Sequence, residues 1–245
     1  MKQPVRYMYV RNAAPDIALA IRRQKPFKLF SFFLIGCGAT LLFYVVAPIA
    51  SWQLFYAPSL STGNLLSPIP KTALIKNVVL GENTERLPFG NLTHASNWFP
   101  TGNPKIGTGK EYSLAIPKLG IKGANVIVGS DDLSKSLIHY GGSSLPGEYG
   151  NAVVFGHSIL PQFFDPKNYK AIFSTLHTLK IGDTIEVVAD GVTYKYKVFD
   201  MKVIDPTDIS VLEQTYDNSY LTVITCTPPG TYWKRLVVKA QIEKI

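Results

Sequence analysis

Residues 183–204 read DTIEVVADGVTYKYKVFDMKVI. Two runs rich in Val, Ile, Thr and Tyr flank the dipeptide Asp190-Gly191. A tight type I′ turn needs positive φ at both central positions, which Asp-Gly supplies at little steric cost, so this stretch predicts a β-hairpin. The same texture recurs outward in both directions: YSLAI (112–116), ANVIVG (124–129), NAVVFG (151–156), YLTVITC (220–226) and KRLVVKAQI (234–242). Turn-forming residues separate these runs. DDLSKSLIHY (131–140) predicts one short helix, and PKNYKAIFSTLHTL (166–179) predicts a further helical turn or two. About seven or eight short strands in roughly 135 residues point to a mostly β domain. A closed or nearly closed antiparallel-rich barrel and a β-sandwich both fit this pattern.

Upstream the character changes. Leu29 to Ala50, LFSFFLIGCGATLLFYVVAPIA, holds no charged residue. As an α-helix this stretch rises about 33 Å, roughly the thickness of a bilayer's hydrocarbon core. It is longer than the apolar core of a signal peptide, and Pro48 makes a poor −3 residue for cleavage after Ala50. It also lacks the polar face expected of a soluble helix. Residues 29–50 therefore predict a transmembrane anchor.

The formal net charge of +8 is unevenly placed. Residues 1–28 carry seven Lys and Arg against Asp16 alone, +6; the remainder carries 18 basic and 16 acidic residues, +2. A basic flank beside an apolar span predicts a cytoplasmic N-terminus and an exported C-terminal part. It argues against a nucleic-acid partner. Residues 51–110 recur in Pro58, Pro68, Pro70, Pro88, Pro100 and Pro104, and predict an extracytoplasmic stalk with one short element near TALIKNVVL (72–80). The domain order is thus tail 1–28, anchor 29–50, stalk 51–110 and β-rich domain 111–245.

Two cysteines occur, Cys37 in the span and Cys226 at the end of TVITC. The exported part cannot form an internal disulfide, so Cys226 is a buried small hydrophobe, a thiol paired between chains, or a used thiol. Nine residues on, Arg235 opens the next strand-like run and can reach back toward the sulfur if the two runs pair. Its rigid fork suits a peptide carbonyl or a developing oxyanion. A thiol needs a base beside it. Of the four histidines, His94 falls in the stalk, His139 reads as structural and His177 as solvent-exposed. His157, after NAVVFG, comes at a strand end, and Gly156 leaves room for the backbone.

The ordered trio His157, Cys226 and Arg235 in a β-rich domain behind an N-terminal anchor resembles the sortases, membrane-anchored cysteine transpeptidases. The resemblance runs through residues 112–242. LPGEYGNAVVFGHS is similar to the segment around the family's histidine, and Thr222-Val223-Ile224-Thr225-Cys226 is similar to its TLxTC pattern, with Val in place of Leu. The resemblance implies a closed eight-stranded β-barrel with short helices and a groove for a sorting signal of the LPxTG type. It implies a thioacyl-enzyme on Cys226, proton transfer by His157, substrate and oxyanion binding by Arg235, and oxyanion support from Thr225. Implied substrates are surface proteins or pilins; implied acceptors are a peptidoglycan precursor or a pilin lysine. No organic cofactor follows. Some members bind calcium, but no such site is assignable here. Pilin-type members carry a lid with an Asp-Pro-aromatic motif, and none occurs between Ser51 and Lys110.

Rival readings need features this chain lacks. A papain-like order puts cysteine before histidine, and all four histidines here precede Cys226. L,D-transpeptidases carry a histidine almost beside the cysteine. A sortase substrate needs a C-terminal sorting signal with an apolar span, where this sequence ends VVKAQIEKI. A non-catalytic, membrane-tethered β-domain that binds a cell-surface partner is the alternative from another class.

Overall fold

The protein is described by a computed structural model, which covers residues 25–61, 93–99 and 109–243. The basic tail up to residue 24 and the element expected near residues 72–80 lie outside the described residues. The chain forms two units, Met1–Val46 and Ala47–Ile245. In the first, helix α1 begins; it spans Lys25–Ser51 and exposes Phe32, Phe33, Ile35, Leu41 and Phe43. Such an apolar surface matches lipid rather than water. Among the described residues this is the one helix long and apolar enough to cross a membrane, and it is a candidate anchor.

The second unit is built on a closed barrel of eight strands: β1 Glu111–Ile116, β2 Ile121–Val128, β3 Leu137–His139, β4 Gly150–Phe155, β5 Thr184–Ala189, β6 Val192–Ile204, β7 Ser219–Thr227 and β8 Lys234–Ile242. Around the barrel they run β1-β2-β3-β4-β7-β8-β6-β5. Six of the eight pairings are antiparallel; β2–β3 and β4–β7 are parallel. Closure leaves no sheet edge and excludes the sandwich alternative. The β5–β6 hairpin forms as its turn residues require, with φ of 51° at Asp190 and 78° at Gly191.

The predicted helix over 131–140 is replaced by a turn and strand β3. Asp132 accepts hydrogen bonds from the Ser134 amide (3.0 Å) and hydroxyl (2.6 Å), which holds a turn. Leu133 and Leu137, spaced like one helical face, are both fully buried but belong to different clusters. The helix pattern was mimicry: a three-residue strand between β2 and β4 is too short to show its alternation. The second expected helical stretch contains turns and one 3₁₀ turn, Leu176–Thr178.

Because side chains alternate across each strand, the barrel has two apolar clusters. Ala152 and Val154 of β4, Leu221 and Val223 of β7, and Leu236 and Val238 of β8 join Leu114, Ile185 and Tyr196 in the lumen. Val153, Phe155, Ile224, Cys226 and Val237 point to the other side, where Leu133, Val211, Trp98 and Phe99 cover them.

His139 is structural, as expected. It has no exposed surface and contacts the Tyr112 hydroxyl at 2.8 Å and the Ser143 hydroxyl at 2.9 Å. Burial disfavours the imidazolium and lowers its pKa to about 4. The unfolded chain therefore binds the proton first, so stability falls as pH drops from about 6.5 to about 4, by up to about 3 kcal/mol. Denaturant titrations across that window should show the loss. An imidazole resonance for His139 that titrates near 6.5 in the folded protein would contradict it.

Candidate active site

The pairings of β4, β7 and β8 place the three sequence-predicted residues at one end of the barrel. In the parallel β4–β7 ladder Phe155 is level with Ile224, and the Gly156 amide donates to the Ile224 carbonyl at 3.2 Å. His157 follows directly after that last bond, so β4 delivers it to the end of the barrel where β7 carries Cys226. In the antiparallel β7–β8 ladder Cys226 and Arg235 are direct partners. Gly156 is needed by space: a Cβ there would stand 2.4 Å from the Phe173 ring and 2.7 Å from Leu137.

Cys226 and Arg235 are 6% and 3% exposed, and His157 is half-buried. Burial pushes the Cys226 thiol up, with Arg235 pulling the other way. Burial lowers His157 to about 4, aided by Lys170 and opposed by Asp132. Thiol and imidazole are both neutral at pH 7 in this arrangement. Arg235 donates from Nη1 to the carbonyls of Tyr232 (3.1 Å) and Lys234 (3.2 Å), and from Nη2 to that of Trp98 (3.3 Å). Its Nε, His157 Nε2 and Thr227 Oγ1 are buried with no hydrogen-bond partner among the described residues. An unpartnered Nε on Arg235 and an unpartnered Nε2 on His157, whose side chains both approach the Trp98 ring, leave polar capacity for a ligand. Thr225 is buried, and its hydroxyl donates to the Gly156 carbonyl at 2.8 Å.

Sequence reading missed what lies over this trio. Thr93–Phe99 packs on the outer cluster as a strap. Trp98 is fully buried, its ring centroid 5.8 Å from that of His157 and 5.2 Å from the Arg235 guanidinium carbon. The strap is tied to the β2–β3 loop: Asp131 accepts from the Ser96 amide (2.7 Å), and His94 Nδ1 lies 2.8 Å from its carboxylate. The Ala95 amide donates to the Asp131 carbonyl, and that of Leu133 to Thr93. Two adjacent large aromatics, Trp98-Phe99, in a polar Pro- and Gly-rich stretch were the available signal. A cavity of about 300 Å³ opens beside the strap, lined in part by Ala95, Asp131, Ile138, Tyr140 and Phe155. His177 is not solvent-exposed as expected: it is half-buried, and the Tyr56 ring meets it edge-on at 4.8 Å. Among the described residues no cluster of three His, Cys, Asp or Glu side chains could hold calcium.

The family model described as a sortase domain matches residues 114–243. Sortase A of Listeria monocytogenes is 32% identical over 95 residues, 39% of this chain and 39% of its own. Sortase D of Bacillus subtilis is 26% identical over 117 residues, 47% of this chain and 53% of its own. The chain thus spans about two fifths to about half of the length of these curated relatives. A solved Clostridium perfringens sortase D5 transpeptidase is similar at 27% identity, with a TM-score of 0.48, over 58% of this chain and 83% of that one.

If Trp98 is what keeps thiol and imidazole dry, Trp98→Ala should make Cys226 more acidic and more accessible. Alkylation by a small thiol reagent near pH 7 should quicken about three- to fourfold for each unit the thiol pKa falls, the gain in thiolate being partly offset by its lower nucleophilicity. The rate is compared at matched folded fraction, judged by thermal melting. An unchanged rate in folded protein would mean that Trp98 does not cover the thiol.

Proposed function

The chain belongs to the sortase family, and on that premise we propose that it is a membrane-tethered cysteine transpeptidase that cleaves a C-terminal LPxTG-like sorting signal and transfers the protein to an amine. The observation that carries this reading is the register of β7 and β8. Cys226 and Arg235 stand as direct partners, with His157 delivered to the same end by β4.

In this reading the Cys226 thiolate adds to the scissile carbonyl carbon. The negative charge moves to the carbonyl oxygen, where the Arg235 fork receives it. The imidazolium of His157 protonates the departing amine as the C–N bond breaks, which leaves a thioacyl-enzyme and neutral imidazole. An incoming amine then gives its proton to His157 and attacks the thioester. Its collapse releases the product and restores thiolate and imidazolium. Because burial favours the neutral pair, only a minor fraction carries the reactive ions at pH 7 until the site is opened. Thr225, through its bond to Gly156, steadies the histidine segment beside the oxyanion position.

Trp98 occupies the space through which an extended peptide reaches the sulfur, so catalysis requires the strap to move aside. The apolar outer face of β4 and β7, with the adjoining cavity, supplies the surface for the signal's aliphatic residues. Surface proteins or pilins are the substrates, and a peptidoglycan precursor or pilin lysine is the acceptor. Helix α1 anchors the enzyme with its N-terminus in the cytoplasm and the barrel outside.

The test is turnover by the full chain in detergent against a pool of LPxTG-like peptides, with and without amine acceptors, read by mass. A thioacyl adduct lost in Cys226→Ala, and a product that depends on amine, is the expected result. Arg235→Lys should lose about a hundredfold in turnover, because one ammonium cannot reproduce the planar fork; near wild-type turnover removes Arg235 from the mechanism. A folded chain that forms no adduct with any peptide favours the tethered binding module instead.

A further inference from the structure

The residues next to the reactive pair are tied to each other reciprocally. Thr225, just before Cys226, donates its hydroxyl to the carbonyl of Gly156, just before His157, at 2.8 Å. Ser158, just after His157, donates its hydroxyl to the carbonyl of Cys226 itself at 2.7 Å. We propose that Ser158 is a positioning residue, which holds the loop carrying the imidazole at a fixed distance from the peptide carrying the thiol. The proposal deepens the transpeptidase reading above and rests on it.

The β4–β7 ladder explains why such a tie is needed. Its last register pair is Phe155 and Ile224, and the Gly156 amide adds one more bond, to the Ile224 carbonyl. From His157 onward the chain leaves the strand, and the ladder no longer sets its distance from β7. Two other bonds hold this loop, from the Phe173 amide to the His157 carbonyl (3.0 Å) and from the Ile159 amide to the Ser174 hydroxyl (2.9 Å). Both run to the 171–174 turn, away from the cysteine. Ser158 is therefore the side chain that closes the gap downstream of the imidazole, as Thr225 closes it upstream.

A serine after a strand commonly satisfies its own neighbouring backbone, two to four residues away. Here the bond spans 68 residues and ends on the cysteine's own carbonyl. Its loss would free the imidazole to swing relative to the sulfur, and a misplacement of about 1 Å costs on the order of a hundredfold in rate.

The experiment compares Ser158→Ala and Ser158→Thr with the full wild-type chain in detergent, using whichever peptide and amine the wild type turns over. Ser158→Ala is expected to lower kcat about ten- to a hundredfold with KM unchanged. Ser158→Thr, which keeps the hydroxyl, should restore most of it. A second readout needs no substrate: the pH profile of Cys226 alkylation reports how imidazole and thiol influence each other, and it should shift in the alanine variant and return in the threonine one. Wild-type kcat in Ser158→Ala overturns the proposal, as does a loss that only follows the folded fraction seen by melting, or a threonine variant as poor as alanine. If the wild type forms no thioacyl adduct, the transpeptidase reading fails and the alkylation profile alone decides: a shift reversed by threonine upholds the tie, and coincident profiles refute it.

Discussion

Strands β4 and β7 run parallel from Gly150 and Ser219 to Phe155 and Ile224, and both leave the sheet at the same end of the barrel. In a parallel pair, strand ends that are level in space can lie far apart in sequence. That is how His157 and Cys226, 69 residues apart, become neighbours. β8 then returns antiparallel to β7 and delivers Arg235 beside the cysteine through a tight connection. A shift of one residue in either ladder would turn one of these side chains to the other face. The luminal cluster prevents such a slip, because Val154, Val223 and Leu236 would then leave the core.

The same alternation gives Cys226 an apolar setting. Cys226 shares the outer face with Val153, Phe155, Ile224 and Val237. Polar groups that end up on such a face must find partners or wait for a ligand. Thr225, turned to the opposite face of β7, and Ser158, in the loop after β4, find theirs in backbone carbonyls across the β4–β7 junction. His157 Nε2 and Arg235 Nε do not find any among the described residues. Fixed backbone and unsatisfied side-chain atoms together describe a site whose frame is finished and whose polar groups are kept for something else.

The strap links protection to chemistry. An exposed thiol in an oxidising compartment invites side reactions, and low thiolate content suppresses them. Trp98 supplies both burial and a carbonyl for Arg235, and it places an aromatic face near two groups that become cationic or stay so. The tie at Asp131 runs to His94, Ala95 and Ser96, none of which belongs to the candidate trio.

Local pattern determined a good deal of this protein. The Asp190-Gly191 turn, the alternating runs that became β1, β2 and β4 to β8, and the uncharged stretch within α1 were all legible, because each depends on neighbours in sequence. The candidate trio was legible for a different reason, its order and its surroundings resembling a known family. What sequence could not carry was decided by contacts between distant segments. β3 is a three-residue strand that exists only because β2 and β4 flank it, and its leucine spacing suggested a helix. His177 looked polar and open until Tyr56 packed on it. Trp98 sat in a stretch that read as a stalk, yet an aromatic pair is stable where it can bury its surface, and the outer face of β4, β7 and β8 offers that burial. Sequence determined which residue types stand at positions 157, 226 and 235; strand pairing decided that Cys226 and Arg235 are cross-strand partners, and the packing of Thr93–Phe99 on the outer face helps to bury them.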